Sequence, residues 1–175
     1  MNWFLANRPD ILHYVKFRRS DEKKTIRRWL IAIPNEDKLR ATLTRMLDSQ
    51  EFLSDFGIRS LSKAHAEAPF IFHCNNEEHR VEYSPGESTT AMFGGNSNWR
   101  GPIWFPTTYL LIEALQQYDY FYGERFKVEC PTGSGNYVTL GEAAKEIERR
   151  LARLFSCDET GDRPCHGDDN RLAGV

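Results

Sequence analysis

The side chains best equipped for chemistry lie in residues 83–106, which read YSPGESTTAMFGGNSNWRGPIWFP. Trp99 and Trp104 offer flat apolar rings with polar edges, suited to stacking on the C–H face of a ring-shaped ligand. Arg100 carries a planar, permanently charged fork that can hold a hydroxyl or orient a carboxylate. Asn98, like Asn96, can both donate and accept hydrogen bonds, which matches a hydroxyl-rich partner. Gly94, Gly95 and Gly101 allow the backbone to turn and approach closely where a Cβ would interfere. Glu87 stands just upstream, where it can accept backbone N–H groups in its own turn or pair with Arg100. Two readings of the segment remain open from these residues alone. It is either the mouth of a ligand pocket, or a packed loop entering the core with Arg100 paired to a structural acid.

Several other chemistries are disfavoured. The net charge of −2 argues against a nucleic-acid partner, which is held through dense Lys and Arg contacts to phosphate. The basic run from Lys16 to Arg28 is interrupted by Asp21 and Glu22 and reads as a solvated connection. Cys74, Cys130, Cys157 and Cys165 form no C-x-x-C pair, so no zinc site and no other metal is expected, and the thiols are read as free. Cys165-His166 among Asp162, Asp168 and Asp169 are adjacent ligands in an acidic tail, a poorly pre-organised arrangement. No cofactor motif is present. No apolar run approaches the ~20 residues of a membrane span, and the start lacks a secretory signal pattern, so a cytoplasmic protein without membrane contact is expected.

The elements that must position the loop can be read from periodicity. Asn35 can cap a helix after Pro34, with Glu36 and Asp37 at its positive end and Leu39, Leu43, Met46 and Leu47 as its apolar stripe. A second helix runs from about Pro106-Thr107 to Tyr122, stopped by Gly123, and is apolar on nearly every face. A third begins at the capping box Thr139-Leu140-Gly141-Glu142 and carries Ala143, Ile147, Leu151 and Phe155 on one side. Shorter helices are expected near Asn2 to Leu5 and from Thr25 to Ile33, where Ile26, Trp29, Leu30 and Ile33 would share a face. Phe70-Ile71-Phe72 and Val81-Glu82-Tyr83 flank the turn-like Asn75-Asn76-Glu77-Glu78 and read as a small β-hairpin. Amphipathic, all-apolar, amphipathic is the order that a double ring of helices would produce, although closing one takes more helices than are present. The division expected is a helical domain over residues 1–155 and an acidic, flexible tail over 156–175.

The stretch Phe93–Pro106, FGGNSNWRGPIWFP, followed by YLLIEAL, closely resembles glycoside hydrolase family 63, the group of mannosyl-oligosaccharide glucosidases and bacterial α-glucosidases. FGIRSLSKAHAEAPF at Phe56–Phe70, YSPGES at Tyr83–Ser88 and GDRPCHGDD at Gly161–Asp169 are similar to that family in the same order. The resemblance covers most of the chain. It implies a mainly α fold, a partial (α/α) six-hairpin barrel or toroid with a small β-hairpin insertion. It also implies hydrolysis of α-linked glucosides with inversion, and by position it places Trp99, Arg100 and Trp104 in the pocket motif.

Thr108 departs from the family pattern, which has Asn there. Inverting glycosidases also need two carboxyl groups, ~6.5–9.5 Å apart with water between them. The resemblance puts the family's acid in a segment before the matched region and its base in one after it, so no catalytic residue is assigned here. Glu87 and Glu113 are the nearest acids, and neither has an evident partner. The substrate-contact set expected is Trp99, Arg100, Trp104, Asn98 and Glu87, with an oligosaccharide or small α-glucoside as ligand. A piece of a hydrolase inactive alone, a non-catalytic carbohydrate-binding or partner subunit, and a truncated product without function are the readings carried forward. Self-association or a complementary barrel subunit is also expected. Leu110, Leu111, Ile112, Leu115 and Phe121 point to nearly every side of one helix and should not all be buried.

Overall fold

The structure, a computed structural model, describes residues 2–19, 27–85, 101–159 and 161–167. A short helix α1 (Asn2–Asn7) is followed by strands β1 (Val15–Arg19) and β2 (Arg27–Ile31) and helix α2 (Glu36–Met46). Two hairpins come next, β3 (Leu53–Ser54) with β4 (Gly57–Ile58), and β5 (Phe70–Cys74) with β6 (Glu77–Val81). Helix α3 (Phe105–Tyr122), strands β7 (Lys127–Glu129) and β8 (Tyr137–Thr139), and helix α4 (Leu140–Arg153) complete the elements.

The strongest local signals are realised. The Asn35 side chain accepts the Lys38 N–H at 2.9 Å, and Leu39, Leu43 and Met46 turn inward from α2. The Thr139 hydroxyl accepts the Glu142 N–H while the Glu142 carboxylate accepts the Thr139 N–H, so the capping box starts α4. Asn75 and Asn76 both take positive φ, 53° and 62°, and close the β5–β6 hairpin. Asn tolerates that left-handed conformation better than most residues, which suits a two-residue turn.

The (α/α) six-hairpin barrel is not what forms. Among the described residues there are four α-helices and four separate two-stranded antiparallel sheets, with no alternating rings of inner and outer helices. Only α3 and α4 lie against one another along their length, and hairpins interrupt the chain between α2 and α3. Helix α3 is therefore not an enclosed inner helix. Thr108, Ile112, Leu115 and Tyr122 line its buried side, Phe121 is also buried, and Leu111 is half-buried. Phe105, Tyr109, Leu110 and Tyr120 are exposed, Leu110 to 64%.

The helix expected from Thr25 to Ile33 is a strand where it is described. Residues 27–31 pair with β1, and Phe17 lies opposite Trp29 with ring centroids 4.8 Å apart. A cross-strand aromatic pair rewards the extended conformation, and a helix facing solvent would forgo it. The hairpin leans on the end of α3: Lys16 donates to the Tyr122 hydroxyl at 3.0 Å, and Arg28 donates to the Tyr120 carbonyl at 2.5 Å. The basic run is thus partly sheet rather than a plain connection, and residues 20–26 lie outside the described part.

One core joins these pieces. Leu43 and Leu47 from the α2 segment, Leu53 and Ile58 from β3–β4, Leu115 from α3, Phe126, and Ala143, Ala144 and Ile147 from α4 are all buried in it. Gly57 sits in this core at φ +115°, a conformation side chains rarely adopt, and a Cβ there would stand 3.2 Å from Leu151 Cδ1. Past α4, the Cys165 N–H donates to the Leu154 carbonyl at 2.9 Å and Arg163 to the Phe155 carbonyl at 2.7 Å, folding residues 161–167 back onto the helix end.

Candidate functional site

The β3–β4 hairpin leads into Arg59 and Ser60, and these residues meet the segment that enters α3. Arg59 forms an antiparallel bridge with Ile103, the Ser60 N–H donates to the Pro102 carbonyl at 2.9 Å, and the Ser60 hydroxyl donates to the Gly101 carbonyl at 2.8 Å. Tyr83 joins from a third segment. Its N–H donates to the His65 carbonyl at 3.3 Å, and its hydroxyl accepts from Arg59 Nε at 3.2 Å. Two stretches far apart in sequence therefore meet the 56–70 stretch, 83–85 at the Arg59 side chain and at His65, and 101–106 along the Arg59 backbone and Ser60.

Beside this junction is an open cleft of about 400 Å3, walled by Met46, Phe52, Ile58, Trp104 and Leu111 and edged by Arg45, Arg59, Ser60 and Thr107. Trp104 holds the position just before α3, and its carbonyl accepts both the Thr108 N–H at 3.0 Å and the Thr108 hydroxyl at 3.1 Å. Thr108, the residue that departs from the family pattern, is buried and spends its hydroxyl proton on the helix start.

Arg59 is held by backbone. Its Nη1 group lies within hydrogen-bond distance of the carbonyls of Ser49, Glu51 and Leu53, at 3.0, 3.2 and 2.7 Å. Glu51, beneath the cleft edge, accepts from the Ser62 hydroxyl and from Arg45. The Ser62 hydrogen bond is the main reason its carboxyl sits below the usual range, with Arg45 assisting and burial opposing. It is committed to structure. No Asp or Glu lines the cleft among the described residues, and no group of three or more His, Cys, Asp or Glu there could hold a metal ion. None of the described helices is long and apolar enough to cross a membrane.

Of the side chains expected to contact substrate, Trp104 lines the cleft. Glu87, Asn98, Trp99 and Arg100 lie outside the described residues. Glu113 is half-buried on α3 and is not part of the cleft lining. Arg59 and Ser60 were not singled out from sequence, although both belong to the FGIRSLS stretch that carries part of the family resemblance.

Residues 28–131 match the family model described as the glycosyl hydrolase family 63 C-terminal domain. The chain belongs to that family. The match takes in β2 to β7 and hence every described segment that builds the cleft. A Saccharomyces cerevisiae relative, "Uncharacterized protein YMR196W", is 50% identical over 171 residues, which is 97% of this chain and 16% of the yeast protein. The chain thus spans under a fifth of the length of that yeast protein. No solved structure matches it.

Proposed function

We propose that this chain supplies part of the substrate-binding wall of a glycoside hydrolase acting on α-linked glucosides with inversion. The observation that carries the reading is the meeting of two family-like stretches, through Ile58, Arg59 and Ser60 and through Trp104, on one cleft, with Tyr83 of a third holding Arg59. An indole beside Phe52 and Leu111 suits the apolar face of a pyranose, and the Arg59, Ser60 and Thr107 edge suits its hydroxyls.

Hydrolysis by inversion needs an acid to protonate the leaving oxygen and a base to activate water. With no carboxylate among the described lining residues, the cleft binds sugar and leaves bond cleavage to groups elsewhere. That same observation favours a second reading, a carbohydrate-binding module without catalysis of its own. Fluorescence titration of the purified chain with maltose and methyl α-glucoside, alongside an aryl α-glucoside hydrolysis assay, tests the proposal. The expected result is saturable binding that weakens in Trp104→Ala, with no turnover above background. Absence of sugar binding sinks the proposal. Robust turnover that disappears in Glu87→Gln would make Glu87 a catalytic residue and refute the division between binding and cleavage.

A further inference from the structure

The β1–β2 hairpin concentrates positive charge beside exposed apolar side chains. From Lys16 to Arg28 there are seven Lys or Arg and two acids, a net charge of +5 in a chain whose total is −2. One face of the hairpin is turned to α3. Leu30 packs on the core, Lys16 donates to the Tyr122 hydroxyl at 3.0 Å, and the Arg28 guanidinium lies 4.4 Å from the Tyr120 ring centroid. Residues alternate sides along a strand, so Phe17, Trp29 and Ile31 take the other face. Phe17 is 42% exposed and Ile31 54%, and Ile33, just past β2, is 81% exposed.

The register adds a second observation. Arg18 lies opposite Arg28, and Arg19 opposite Arg27. Like charges directly opposite one another weaken an antiparallel pair. Arg28 meets Tyr120, by its carbonyl and its ring, rather than a carboxylate among the described residues. Two successive Arg–Arg pairs therefore cost the hairpin stability, and a negatively charged surface laid along it offsets that repulsion.

Basic residues beside exposed aliphatic ones match an anionic lipid surface, where charges meet headgroups and apolar side chains enter the acyl boundary. Nucleic acid fits less well, because single strands are held on aromatic platforms. The most exposed apolar residues here, Ile31 and Ile33, are aliphatic, and the Phe17 and Trp29 rings lie against each other, 4.8 Å apart at 50°. We propose that the outer face of the β1–β2 hairpin is a peripheral docking surface for anionic membrane lipid. Phe17, Ile31 and Ile33 enter the boundary between headgroups and acyl chains, and the basic end of the hairpin meets the headgroup anions. A surface contact needs no membrane-spanning run, so the lack of one does not bear on it. The contact is separate from the cleft and does not draw on the carbohydrate reading.

The test is co-sedimentation of the purified chain with vesicles of equimolar phosphatidylserine and phosphatidylcholine, compared with phosphatidylcholine alone and with a single-stranded oligonucleotide as competitor. The expected result is binding to the anionic vesicles only, weakened by added salt. Arg19→Gln combined with Arg27→Gln should reduce it roughly tenfold or more, since each basic residue at such a surface contributes a factor of about five. Ile31→Ser should reduce it severalfold. The arginine variant removes a like-charge pair, so its far-UV melt should be unchanged or raised, which separates lost binding from lost fold. Ile31→Ser, at an exposed site, carries the test by itself if that melt falls. Failure to sediment with anionic vesicles, equal sedimentation with both vesicle types, undiminished binding in a folded variant, or displacement of the vesicles by the oligonucleotide overturns the inference.

Discussion

Replacing Glu146 by Gln should expose how α4 is fastened to the β3–β4 hairpin. The Glu146 carboxylate accepts from Arg149 Nε and Nη2 at 2.9 and 2.8 Å and from Arg150 Nε at 2.7 Å. Arg150, only 13% exposed, continues to the Ser54 carbonyl at 2.8 Å, so the network joins helix to hairpin. The Arg149 hydrogen bond, followed by that of Arg150 and against the opposing effect of burial, holds the carboxyl at about 2 instead of 4.5. That depression corresponds to an upper figure of ~3 kcal/mol. Arg149 is 55% exposed, and solvent screening of its half of the network reduces the expected contribution to ~1–2 kcal/mol. The folded value is depressed, so this stability is fully present above pH 4.5 and is lost as pH falls through about 2. Urea unfolding of the chain and of Glu146→Gln, followed by far-UV circular dichroism at several pH values, measures it. The variant should be ~1–2 kcal/mol less stable at pH 7, with the gap closing between about pH 5 and pH 2. Equal stability at pH 7, or a gap that stays constant through that acid range, would refute the reasoning.

Three further outcomes follow from the packing. Thr139→Ala removes the hydroxyl that accepts the Glu142 N–H and should cost ~1 kcal/mol in a melt or urea titration, whereas Thr139→Ser should retain most of the stability. Gly57→Ala would place a methyl 3.2 Å from Leu151 Cδ1 at φ +115°, and ~1–3 kcal/mol of destabilisation is expected by urea titration. Cys130 is buried and burial pushes its thiol up, while Cys74, Cys157 and Cys165 are exposed. A thiol reagent at neutral pH should therefore label the three exposed cysteines rapidly and Cys130 only on unfolding.

The local elements were legible because their causes are local. Asn35 before two acids, Thr139 three residues before Glu142, and Asn75-Asn76 between two short apolar runs each specify backbone geometry within a few residues. The place of Trp104 just ahead of α3 was legible for a similar reason, since a Pro-started helix fixes the residue before it. Strand β2 was not. Ile26, Trp29, Leu30 and Ile33 satisfy a helical period, and only pairing with Phe17 and anchoring on Tyr120 decide for the extended form. The barrel failed because all-round apolarity in α3 allows burial on every side and does not require it. What covers Leu110 depends on the neighbours present, and tertiary packing leaves that side open. Arg59 shows the difference most clearly. Sequence determines that it is a permanently charged fork in a family-like stretch. Only the fold, by bringing the carbonyls of Ser49, Glu51 and Leu53 and the Tyr83 hydroxyl to its guanidinium, determines what holds it.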